Sequence, residues 1–115
     1  MHVIHHTTLP RHDEAGSCTQ TVAGAALCQA PFEVQVQCLE PGAETATASH
    51  AEARVVVALA GSGRLVLDSG PQRFHAPCTL LLPAGARFQF VNNAATPLQL
   101  VSVFVPTVRL EVIQP

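Results

Sequence analysis

The chain has 115 residues, enough for one domain with a buried core; 48% of them are apolar and only 12% are charged. Globular domains usually give about a quarter of their residues to charge, so part of this apolar surface is expected to be covered by a second copy in a homodimer. A net charge of −2, six scattered arginines and no lysine exclude a basic footprint for nucleic acid, Schiff-base chemistry and P-loop phosphate binding.

Residues 1–31 are expected to form an N-terminal extension ahead of a single domain over residues 32–115. The opening MHVIHHTTLP has neither a basic start nor an apolar core, so no secretory signal is expected and a cytoplasmic location is the default. No run reaches the ~18 apolar residues of a membrane span. His2, His5, His6 and His12 cluster without a recognised ligand spacing, and terminal imidazoles of this kind usually face solvent. The best helical candidate, Ala23 to Cys28, is too short and carries Gly24. Cys18, Cys28, Cys38 and Cys78 fit neither the C-x2-C spacing of zinc sites nor a dense disulfide framework. Reduced thiols packed as small apolar side chains are expected, with a reactive thiol as the other reading.

From residue 32 onward the apolar runs are short, β-branched and divided by glycine or proline. They predict strands at about 32–39, 45–50, 54–60, 64–68, 72–75, 79–83, 87–92, 98–105 and 108–113. Turn residues fall between them at Pro41-Gly42, Gly61-Ser62-Gly63, Asp68-Ser69-Gly70-Pro71, Pro83-Ala84-Gly85 and Asn92-Asn93. So many short strands predict an all-β sandwich, barrel or jelly roll, and periodicity does not choose among them. With no tryptophan or tyrosine, any stacking surface must use the five phenylalanines.

The stretch PGAETATASHAEARVVVALAG, from Pro41 to Gly61, resembles the first conserved motif of the cupin family, G-x5-H-x-H-x(3,4)-E-x6-G. Gly42 and Gly61 take its two glycines, the histidine positions fall on Ala48 and His50, and the glutamate position falls on Arg54. PAGARFQFVN resembles the second motif, G-x5-P-x-G-x2-H-x3-N, with Pro83, Gly85 and Asn92 in place and Phe88 at the histidine position. Pro77-Cys78 departs from the glycine-aspartate step usual before it. Sliding the first motif by two residues would use His50 and Glu52, but it puts Val56 on the glutamate position and still gives only two ligands. The resemblance covers about Phe32 to Pro106 and implies a double-stranded β-helix, a jelly roll of two facing sheets. It also implies that the N-terminal extension supplies an extra strand or arm on the barrel or on a partner subunit.

If His50 points inward, as the resemblance implies, strand alternation puts Ala48, Arg54, Val56, Ala58, Phe88, Phe90 and Asn92 on the same inner face. For Glu33, Gln35 and Gln37 two phases stand open: an inward polar ladder, or an interior built from Phe32, Val34 and Val36. The usual three-histidine, one-carboxylate site for Fe, Mn, Ni or Zn is reduced to His50. An arginine at the carboxylate position would repel a divalent ion by several kcal/mol at ~4–5 Å. No cofactor is expected; a metal would need His50 with ligands from outside the motifs, such as His75 or Cys78. The expected ligand is a small molecule, a carboxylate or phosphate, held by Arg54 and His50 with Phe88, Phe90 and Asn92 around it. Arg54 could instead swing to the mouth and pair with Glu44 or Glu52 in solvent, and His50 could be purely structural. An isomerase or epimerase working without metal, a dioxygenase-type metalloenzyme with non-standard ligands, and a filled structural barrel remain the other readings.

Overall fold

The computed structural model describes residues 2–106, so the strand expected at 108–113 lies outside the described residues. In chain order the elements are β1 (His12–Glu14), β2 (Ser17–Ala23), α1 (Ala25–Cys28), β3 (Glu33–Leu39), β4 (Ala48–Ser49), β5 (Arg54–Ala60), β6 (Ser62–Leu67), β7 (Gly70–His75), β8 (Cys78–Leu82), β9 (Arg87–Val91) and β10 (Leu98–Phe104). Two antiparallel sheets result, one of six strands in the order β1-β2-β3-β10-β5-β8 and one of four in the order β4-β9-β6-β7. The two sheets face each other and bury a shared apolar core between them, the jelly roll that the motif resemblance implies. Leu39, Val56, Ala58, Leu65, Leu82, Phe90, Leu98 and Leu100 form the centre of the core.

Gly61 is where the chain leaves the larger sheet after β5 and enters the smaller one at β6. Its φ is +92°, and a Cβ there would lie 2.5 Å from the Pro97 carbonyl oxygen, so no other residue fits the crossing. The other motif loops are tied across the barrel. Gly42 N–H donates to the Asn92 carbonyl at 2.8 Å, Asn92 N–H to the Ala43 carbonyl at 2.9 Å, and Gly85 N–H to the His50 carbonyl at 2.7 Å. The last bond holds the loop that carries His50 against the second motif.

Eight of the expected strands are present with small shifts at their ends. The one at 45–50 shortens to Ala48–Ser49, and upstream of it the chain meets β9 again through the Glu44–Val91 bridge, one residue out of step with the Ala48–Phe88 pairing. Four elements go beyond the expected strand list: β1, β2, α1 and a single 3-10 turn at His6–Thr8. Strand β2 hydrogen-bonds along β3 and extends the six-stranded sheet within the same chain. Its sequence SCTQTVA alternates hydroxyl residues with Cys, Gln and Val, which gives little contrast between faces. The helix judged too short does form, as the single turn α1.

The outer face of the larger sheet is apolar. Val103 stands opposite both Val34 and Val55, Val101 opposite Val36 and Val57, and Val55 opposite Leu81. Val55, Leu59, Leu81 and Val103 are exposed. Among the described residues no helix is long and apolar enough to cross a membrane.

Candidate functional site

The inner faces of the two sheets leave a cavity of about 210 Å³, lined at one end by His50 and Arg54. Strand β5 presents Arg54 and Val56 to it, the paired strands β4 and β9 present Ala48 and Phe88, and Phe90 follows two residues on. Most of the rest of the lining is polar: Thr19, Gln35, Gln37 and Ser102 from the larger sheet, and Thr45, which bonds to the Phe90 backbone. The inward phase of β3 is therefore the glutamine ladder, and Val34 and Val36 belong to the outer face. Beyond Thr19, Gln37, Thr45 and Ala46 the cavity meets an outer vestibule of about 390 Å³ that includes His12, Glu14 and Glu44.

Arg54 is held on three sides. Its Nε and Nη2 donate to Glu52 Oε1 at 3.3 and 3.0 Å, and Nη2 also meets His50 Nδ1 at 3.1 Å. The guanidinium carbon lies 3.7 Å from the centroid of the Phe104 ring, a cation–π contact. The Arg54 and Glu52 side chains are only 12% and 17% exposed, so this pair is not the solvated contact at the mouth that one sequence reading allowed. The guanidinium stays on the cavity wall.

An arginine can only donate, so the Nδ1 of His50 must accept and a neutral ring carries its proton on Nε2. The His50 pKa is pushed below its ordinary value of 6.5, first by burial and then by the Arg54 charge, with Glu52 opposing. The imidazole lies 5.5 Å, centroid to centroid, from the Phe88 ring. The folded state thus disfavours the proton that the unfolded chain accepts. Stability present above pH 6.5 should fall as the pH drops through the depressed folded value. Urea midpoints measured across that window should show this loss, and His50→Gln should flatten the profile.

Asn92 is placed differently from the other expected site residues. It is fully buried but does not line the cavity. Its Nδ2 donates to the Leu39 and Thr96 carbonyls at 3.0 and 2.9 Å, and its Oδ1 accepts the Ala94 N–H at 3.0 Å. Its polar atoms serve the loop that joins β9 to β10. Conversely, Glu52 and Phe104 hold Arg54 in place and were not among the expected site residues. Phe104 was available from the period of two through Leu98, Leu100 and Ser102, whereas Glu52 lies in a loop where alternation assigns no face.

The donor set does not suit a transition metal. Ala48 and Phe88 offer no lone pair, Arg54 is a cation, and the Nδ1 of His50 is engaged by that cation. Among the described residues no group of three or more histidine, cysteine, aspartate or glutamate side chains is arranged to hold an ion, so His75 and Cys78 do not complete a site with His50.

Known structures share this architecture. The polyketide cyclase RemF from Streptomyces resistomycificus superposes with a TM-score of 0.77 at 20% identity, over 90% of this chain and 78% of that one. A cupin-superfamily sugar phosphate isomerase from Silicibacter pomeroyi gives 0.75 at 23% identity, over 91% and 76%. A Cupin 2 conserved barrel domain protein from Salinispora arenicola gives 0.73 at 26% identity, over 90% and 86%. No curated protein sequence matches the chain. The family model described as a cupin domain matches residues 35–104, which is most of the chain and both motif regions. The chain belongs to the cupin family.

Proposed function

We propose that the barrel binds a small organic molecule carrying one acidic group, and does so without a metal ion. The observation that carries this reading is Arg54, fixed by Glu52, His50 and Phe104 on the wall of a cavity that also offers hydroxyls and amides. A guanidinium held in one position loses little freedom when it receives a carboxylate or phosphate. Phe88, Phe90, Leu82 and Val56 supply an apolar wall for the rest of the ligand. The volume of about 210 Å³ suits a metabolite smaller than typical drug-sized ligands. Thermal-shift screening of small carboxylates and phosphate esters should give concentration-dependent stabilisation. A panel that leaves the melting temperature unmoved at millimolar concentrations would count against the proposal.

A second reading is an enzyme that moves protons without metal, supported by Glu52 Oε1 at 4.0 Å from His50 Nδ1. The loop before β5 sets a carboxylate beside this histidine, and its charge opposes the lowering of the His50 pKa by burial and Arg54. One of the structural neighbours is an isomerase. Exchange of substrate protons with deuterated solvent, lost in His50→Gln while binding persists, would favour catalysis over simple binding.

The apolar outer face of the larger sheet supports a homodimer as part of the same proposal. Val101 sits near its centre, between Val36 and Val57. Val101→Asp should convert a dimer to a folded monomer by light scattering, because it places a charge inside the buried contact. A wild-type chain that is already monomeric at tens of micromolar concentration would contradict this part of the reading.

A further inference from the structure

Cys18 and Cys38 are twenty residues apart in the sequence, yet they are direct register partners across β2 and β3. The Glu40 N–H bond to the Gly16 carbonyl marks Gly16 and Glu40 as a hydrogen-bonded pair, so Cys18 and Cys38, one full repeat along, are hydrogen-bonded as well. Such partners have Cα atoms about 5.5 Å apart, inside the span that a disulfide bridges, and both side chains point to the same face. The Cβ atoms of facing residues stand ~4.5–5.5 Å apart and must draw in slightly to form the bond, which favours a bridge that is easily reduced. Both thiols are half-buried and free, and they share a surface depression with Arg11, Asp13, Gln20 and Glu40. Arg11 Nε donates to Cys18 Sγ at 3.1 Å, so a cation stands ready where charge gathers on that sulfur.

We infer that Cys18 and Cys38 form a reversible cross-strand dithiol switch, oxidised by low-molecular-weight disulfides such as oxidised glutathione. The Cys18 thiolate attacks one sulfur of the small disulfide, whose S–S bond breaks and releases one thiol with the electron pair and a proton. Cys38 then gives up its proton and attacks the Cys18 sulfur, expelling the second small thiol. Two protein thiols become one disulfide while the small disulfide becomes two thiols. The bridge lies directly behind the ligand cavity. Thr19 and Gln37, the residues next to the two cysteines, are register partners on the inner face and line that cavity. Oxidation therefore pins β2 to β3 at a wall of the binding site. Cys28 and Cys78 stand on α1 and β8 and serve as internal controls.

The full-length chain, treated with oxidised glutathione and then alkylated, should lose the mass of two hydrogens and yield one linked peptide pair, Cys18 with Cys38. Dithiothreitol should reverse the change, and Cys38→Ser should trap the small thiol on Cys18. The inference is overturned by four alkylatable thiols after treatment, by a bridge through Cys28 or Cys78, or by a bond between two chains.

Discussion

Replacing Arg54 with glutamine should weaken binding of any acidic ligand found for this barrel by about 10- to 100-fold. That range follows from the ~1.5–3 kcal/mol that a hydrogen bond to a charged group contributes. The effect should fall on ligands with a carboxylate or phosphate and spare neutral analogues of the same shape. Arg54→Lys should recover only part of the affinity, since an ammonium lacks the planar fork and cannot stack on Phe104 in the same way. A second readout separates this role from general damage. Arg54 is the second cause of the depressed His50 pKa, so its removal should move the His50 titration upward by NMR. Calorimetry that finds acidic and neutral analogues equally affected would remove Arg54 from recognition.

The other large effect is expected at Asn92, on stability rather than binding. Alanine there deletes two donated hydrogen bonds and one accepted bond at a fully buried position. The Leu39 and Thr96 carbonyls and the Ala94 N–H would lose these partners inside the fold, where water does not replace them readily. A cost of ~3 kcal/mol is expected, which for a domain of this size lowers the melting temperature by about 10 °C or more. Asn92→Asp should also destabilise, because it removes both donors and buries a charge. Ligand affinity of the folded Asn92→Ala fraction should stay close to wild type. A loss confined to affinity, with the melting temperature unchanged, would return Asn92 to the ligand site.

The contrast between Arg54 and Asn92 shows what the sequence made legible. Glycine and proline at the turns and a period of two marked out the strands, while the cupin resemblance supplied the jelly roll and the phase that faces inward. Ala48, His50, Arg54, Phe88 and Phe90 all line one cavity for that reason. Alternation tells which way a side chain points, but not whether its polar atoms are already satisfied. Asn92 shares the phase of Phe88 and Phe90, yet its amide is spent on neighbouring carbonyls. Glu52 escaped the same logic because the loop between β4 and β5 has no fixed phase. The resemblance implied an extra strand or arm from residues 1–31, but the mixed polarity of β2 hid its bounds and the register that brings Thr19 to the cavity and Cys18 opposite Cys38. Thiol pairing across twenty residues is a property of register, which spacing does not encode.

The motif frame has structural duties of its own. Gly61 is required by the crossing between sheets, and Gly42, Gly85 and Asn92 bond the two motif loops to each other. Those duties are structural and remain whatever occupies the barrel.

The most direct test is the metal content of untagged protein, measured by mass spectrometry of the elements for wild type and His50→Ala. Iron, manganese, nickel and zinc should each lie far below one ion per chain, at levels indifferent to the substitution. A near-stoichiometric ion in the wild type that disappears with the imidazole would contradict the metal-free reading of the barrel.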